Sequence, residues 1–169
     1  MAKTKICEID SQNLVNGSNL MAYNTNLALW DSVLPKLEDG TQMFQECRNL
    51  KSFNPNTYWN FMVLPNLKNS SYMFSHSGLE TFETMYLPVL ENASKMFEGC
   101  SSLTDVGITV GQNGESLTPH LKDTRYMFEG CENLKTVFID ADSSYLSKTQ
   151  YMFDGCKNLE RVTCYGLFD

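Results

Sequence analysis

Apolar side chains recur along this chain in a fixed order. A leucine is followed six residues later by Met-Phe, then six or seven residues after Met by a second leucine, and three residues further on by Phe or Val. Met-Phe stands at 43–44, 73–74, 96–97, 127–128 and 152–153, at intervals of 30, 23, 31 and 25 residues. The leading leucines are Leu37, Leu67, Leu90, Leu121 and Leu146, and the trailing ones Leu50, Leu79, Leu103, Leu134 and Leu159. Phe53, Phe82, Val106, Val137 and Val162 complete the units, and Pro35, Pro65, Pro88 and Pro119 precede the leading leucine in all but the last. Self-similarity at such a period is the mark of stacked supersecondary units, none of which can bury its own apolar face alone.

Within each unit the polar residues predict a two-turn helix followed by a strand. Asp39, Asn69, Asn92 and Asp123 lie four residues before Met, where a short acceptor side chain caps free N–H groups. In the last unit Lys148 takes that place, which leaves capping to Ser147 or Thr149. Gly99, Gly130 and Gly155 stand three residues after Met, as at the end of a helix. Beyond the second leucine the period becomes two. Val106, Ile108 and Val110 alternate with Asp105, Gly107 and Thr109, Val137 and Ile139 with Thr136, Phe138 and Asp140, and Val162 and Cys164 with Arg161, Thr163 and Tyr165.

The motif Leu-x5-Met-Phe-x-Gly-Cys-x2-Leu-x2-Val, seen at 121–137 and 146–162, resembles the BspA-type leucine-rich repeat, in its Met-Phe variant, of bacterial surface proteins. The likeness is looser in the first unit, where Gln45-Glu46-Cys47 lacks Gly, and in the second, where Ser75-His76-Ser77-Gly78 lacks Cys and is one residue short. The resemblance implies a non-catalytic array used for protein or cell-surface binding, and it does not supply the ligand. The expected fold is an α/β right-handed solenoid, with a parallel strand ladder on one face and two-turn helices on the other. About five copies would occupy residues 27–169. Residues 1–26, outside the repeat, are expected to form a cap or an attachment segment. Insertions at 54–60 and 111–116 read as surface loops.

Composition narrows the chemistry. With 13 basic and 20 acidic residues the formal charge is −7, which would repel a phosphate backbone, so nucleic acid is not an expected partner. No apolar run approaches the roughly 20 residues needed to span a bilayer, so membrane insertion is not expected either. The first ten residues start basic, but Glu8 and Asp10 interrupt any apolar segment, so an export signal is expected to be missing or removed. A virion protein therefore stays open beside a bacterial cell-surface one.

Cys47, Cys100, Cys131 and Cys156 share the place four after Met, and Ser77 stands there in the second unit. A place that accepts either residue wants a small, weakly polar side chain in tight packing, so these cysteines read as reduced core. Cys7 and Cys164 lie outside the register, which leaves open one reactive or bridging thiol. No paired Cys spacing marks a zinc site, and neither His76 nor His120 belongs to a nucleophile motif. Glycine-rich phosphate loops and metalloprotease helices are also missing. No cofactor and no catalytic residue is expected.

The candidate binding residues are outward-facing strand positions, Asp105, Thr136, Phe138, Arg161, Thr163 and Tyr165, with Tyr58, Trp59 and Phe61 in the first insertion. Aromatic residues beside an arginine on a rigid face are what binding hot spots are built from. Two functions stand side by side. One is adhesion-type recognition of a protein or cell-surface ligand. The other is a structural subunit of a larger assembly, such as a phage tail or fibre, docked through its N-terminal segment.

Overall fold

The computed structural model describes residues 5–7, 11–54, 62–108, 121–140 and 145–165. Both inserted loops fall largely outside these residues, and with them Tyr58, Trp59, Phe61 and His120.

Among the described residues eight short strands run in parallel: β1 (Lys5–Cys7), β2 (Leu27–Trp30), β3 (Ser52–Phe53), β4 (Met62–Val63), β5 (Thr81–Tyr86), β6 (Asp105–Ile108), β7 (Thr136–Asp140) and β8 (Arg161–Tyr165). They form one sheet in the order β1-β2-β3 and a second in the order β4-β5-β6-β7-β8. The 54–60 insertion separates β3 from β4, while β5 runs past both places: Phe82 stacks on Phe53, and Met85 pairs with Met62. Alternation is kept through β6, β7 and β8, where Val106 pairs with Val137 and Val137 with Val162. Val106, Ile108, Val137 and Ile139 are buried.

Between strands, the Met-Phe segments are not helices, and no helix occurs among the described residues. The expected two-turn helices are corrected to runs of tight turns. The residue before Met is left-handed in every copy, with φ of 55° at Gln42, 56° at Tyr72, 57° at Lys95 and Tyr126 and 58° at Tyr151. The position three after Met is left-handed too, in Glu46 and His76 as in Gly99, Gly130 and Gly155. Two such residues in one segment cannot belong to a right-handed helix.

Their hydrogen bonds show what replaces it. Met43 N–H donates to the Gly40 carbonyl at 3.0 Å and Cys47 N–H to the Phe44 carbonyl at 3.2 Å. With φ positive only at the third residue of each turn, both are type II turns. Every second N–H group leaves the copy altogether. Gly40, Gln42, Phe44 and Glu46 donate to the carbonyls of Asn69, Ser71, Met73 and Ser75 at 2.8 to 3.0 Å. Every later copy but the last does the same to its successor. The Asx residues do accept from the N–H two residues on, as Asp39 does from Thr41 at 3.0 Å and Asn92 from Ser94 at 2.9 Å. They open a turn run rather than a helix.

This backbone pattern extends ahead of the sequence repeat. Asn16 bridges to Asp39, Asn19 and Tyr23 are left-handed, and Gly17, Asn19, Met21 and Tyr23 donate to Asp39, Thr41, Met43 and Gln45. Residues 11–30 thus form a turn with Leu20-Met21 where later copies have Met-Phe.

The core is a column of rings. Phe44, Phe74, Phe97, Phe128 and Phe153 stack at centroid spacings of 5.5, 5.7, 5.5 and 5.5 Å, with adjacent rings within 8° of parallel. Phe53 and Phe82 meet this column edge-on, the favoured geometry for ring quadrupoles. Met43, Met73, Met96 and Met127 are fully buried beside it. Outside, the ion pairs Lys68–Glu38, Lys122–Glu91, Lys51–Glu80 and Lys157–Glu132 bridge copies at 2.6 to 2.8 Å. All are exposed, and each contributes at most about 1 kcal/mol.

Candidate functional site

The strand register brings most of the sequence-derived candidates together. Asp105 pairs with Thr136 and Thr136 with Arg161, while Phe138 lies between Gly107 and Thr163. Adjacent parallel strands are about 4.8 Å apart, so these residues form two neighbouring rows. Arg161 is exposed, and Asp105, Thr136, Phe138 and Thr163 are half-buried. The Thr136 hydroxyl donates to the Asp105 carboxylate. That bond, a second from Thr104 and the charge of Lys135 hold the Asp105 carboxyl below its ordinary value. Tyr165 pairs with Asp140 at the end of the ladder, and its side chain is outside the description.

A second row lies on the turn edge. Tyr72, Lys95, Tyr126 and Tyr151 each precede Met in successive copies, and their left-handed backbone turns the side chains outward onto one line. The Lys95 ammonium sits 5.3 Å from the Tyr72 ring centre and 5.0 Å from that of Tyr126, and Tyr126 stacks on Tyr151 at 5.1 Å. Glu98 holds Lys95 at 3.0 Å. Burial, the largest single influence, lowers the Lys95 pKa; the bond to Glu98, the charge of Glu98 and Tyr72 together outweigh it, and the net direction is upward. Sequence reasoning passed over this row. Its signal was the residue before Met, which is tyrosine in three of the five Met-Phe copies.

The thiols line the core side of the same turns. Cys47, Cys100 and Cys131 donate to the carbonyls of Met21, Phe74 and Phe97 at 3.0 Å, and Cys156 to that of Phe128 at 3.1 Å. Each bond reaches into the preceding copy. All four are free thiols, and burial pushes Cys47, Cys100 and Cys156 up to about 11 and Cys131 higher still. Such thiols are poor nucleophiles and poor ligands.

Where the second copy is a residue short, Arg48, His76, Ser77, Gly78, Gly99, Ser101 and Ser102 line an open polar notch of about 280 Å³. Gly78 is required there, because a Cβ would fall 2.2 Å from the Arg48 carbonyl oxygen. Among the described residues no three His, Cys, Asp or Glu side chains converge as metal ligands would, and no helix is long and apolar enough to cross a membrane.

The stacked turns, the parallel strands and the repeated Leu, Met-Phe and Cys positions define a leucine-rich repeat protein. The family model for the BspA type leucine rich repeat region matches residues 38–160 in six copies, and the chain belongs to that family. Repeats of this kind generally serve as non-catalytic modules for protein or surface interaction. Neither a search of curated proteins nor one of solved structures found a match.

Proposed function

We propose that the chain is a non-catalytic recognition module, a right-handed solenoid that engages a protein or cell-surface ligand through its strand face. The observation that carries this reading is the register of β6, β7 and β8, in which Thr136 and Arg161 are neighbours, as are Phe138 and Thr163. An aromatic ring, a guanidinium and two hydroxyls on a rigid ladder bind with little ordering cost, because the backbone that carries them is already fixed. Tyr165 extends the patch in this reading, and Tyr58 and Trp59 of the first insertion contribute at its margin. The natural setting is a bacterial cell surface, with adhesion as the task.

The test compares two chains. A ligand recovered from host surface proteins by the wild-type chain is lost by a Phe138→Ala, Arg161→Glu variant, whose thermal midpoint stays within a few degrees of wild type. A variant that keeps the ligand sinks the strand-face reading.

A second reading, a structural subunit of a larger assembly such as a phage tail or fibre, is favoured by the N-terminal turn. Among the described residues no backbone N–H bonds the carbonyls of Asn16, Ser18, Leu20 and Ala22, and Val15, Leu20 and Tyr23 are exposed. Docking through this end would satisfy both.

A further inference from the structure

One contact between copies is interrupted in the middle of the array. Asn49, Asn133 and Asn158 stand two residues after the Cys of their copies. Each side-chain amide donates to a carbonyl of the preceding copy, that of Thr25, Ser101 or Glu132, at 2.6 to 2.9 Å. The second copy has no such residue, because Leu79 follows Gly78 directly, and the third has Ser102 in its place. The amide ladder therefore skips from Asn49 to Asn133. The polar notch of about 280 Å³ lies at this gap, with Arg48, Gly78 and Ser102 among its walls.

Those walls are rich in donors. Arg48, His76, Ser101 and Ser102 are exposed. Arg48 uses its Nε on Glu46 at 2.9 Å, and among the described residues its two terminal nitrogens have no partner. The His76 ring and the hydroxyls of Ser101 and Ser102 have none there either. Gly99 positions the imidazole, since a Cβ at that residue would fall 2.2 Å from Nδ1, so the ring rests on a bare Cα. No lining residue is acidic, in a chain that has 20 Asp and Glu. Glu98, next to Gly99, is engaged by Lys95 at 3.0 Å and by the Ser75 hydroxyl at 3.3 Å.

We propose that this notch binds a phosphate group. Its volume is close to the roughly 300 Å³ at which small-molecule pockets begin, so it takes a head group rather than a whole large ligand. The terminal N–H groups of a guanidinium meet two phosphate oxygens side by side. An imidazole N–H and two serine hydroxyls remain for the third. A carboxylate has two oxygens only and would leave donors unused. The formal charge of −7 disfavours a long phosphate backbone, but at 0.1 M salt charges more than about 10 Å away are screened, so a single phosphate responds to the side chains around it. The site lies ahead of β3, β5 and β6 in the chain and does not depend on the strand face holding a ligand.

The experiment follows the backbone amide resonances of the full chain while inorganic phosphate, glycerol phosphate or acetate is added at constant pH and ionic strength. Inorganic phosphate is expected to give saturable shifts centred on Arg48, His76, Gly78, Gly99, Ser101 and Ser102. Arg48→Gln should weaken binding roughly tenfold, about the loss of one charged hydrogen bond. His76→Asn, which the left-handed backbone at 76 tolerates, should weaken it several-fold. Lys157→Gln removes a charge from the equivalent position of the last copy and should leave binding unchanged. Glycerol phosphate that binds as tightly as the free ion assigns the notch to a phosphorylated ligand, and its exclusion assigns the notch to free phosphate. Three results overturn the proposal: shifts that do not saturate or that centre elsewhere, acetate that binds as tightly as phosphate, or equal weakening by Lys157→Gln and Arg48→Gln. The wild-type titrations decide by themselves should a variant fail to fold.

Discussion

Four thiols donate across copies to backbone carbonyls, and their chemistry follows from that position. An ionised sulfur could not donate, and Cys100 is fully buried, where a charge is poorly solvated, so the folded chain holds these groups neutral well above their ordinary 9.0. The unfolded chain ionises them first. Between pH 9 and about 11 the unfolded state therefore binds fewer protons than the folded one, and stability falls as pH rises. The slope is at most about 1.4 kcal/mol per pH unit for each thiol involved. Denaturant melts at pH 7.5 and 10.5, chosen as roughly the two sides of this window, should show the loss, and Cys100→Ser should show less of it. Equal losses in both chains would mean that the thiols are not the cause. Sequence alone indicated that these were core cysteines, because Ser77 substitutes at the same place; that they are also hydrogen-bond donors depends on a carbonyl 26 or more residues away.

At the scale of the element, the ring column makes stability depend on position along the stack. Phe97 has Phe74 and Phe128 on its two faces and Phe82 at its edge. Phe97→Ala should cost about 3 to 5 kcal/mol through lost transfer energy and the cavity left behind. Among the described residues Phe153 has a ring on one face only, that of Phe128. Phe153→Ala should cost about half as much or less, because part of its surface is never withdrawn from water. Chemical denaturation of both variants measures the difference, and equal costs would contradict the stacking order. The turn that carries each ring is maintained by its neighbours. Half of its N–H groups bond the next copy, so a single copy cannot keep this conformation unaided.

For the whole molecule, nearest-neighbour bonding predicts a gradient of protection. A copy flanked on both sides has its donors and acceptors satisfied, whereas in the last, among the described residues, four N–H groups find no backbone acceptor and the ring is partly open. Amide exchange should therefore be slowest in the turn at 92–100 and faster in the turn at 148–156 under conditions where the chain is a monomer. Exchange followed by mass spectrometry on peptides from the two turns tests this, and uniform protection would indicate all-or-none opening.

The order of Leu, Met-Phe, Leu and Val determined by itself the repeated part of the core, where β6 to β8 begin and which strand residues share a face, but not Trp30, Leu64 or Met85, which are buried outside that order. These follow from burial and from the two-residue period of a strand, both local properties of the chain. Turn or helix was a tertiary decision. Asx before Met and Gly after it satisfy the start and end of a helix as well as they satisfy two linked type II turns, and only the destination of the intervening N–H groups separates the two. That destination lies in the next copy, some 30 residues on from Gly40 to Asn69. The first turn at 16–24 was hidden for the same reason: Leu20-Met21 lacks the motif but meets the same ladder of carbonyls. The alignment of Tyr72, Lys95, Tyr126 and Tyr151 likewise needed stacking, which converts residues 23 to 31 positions apart in the chain into neighbours about 5 Å apart in space.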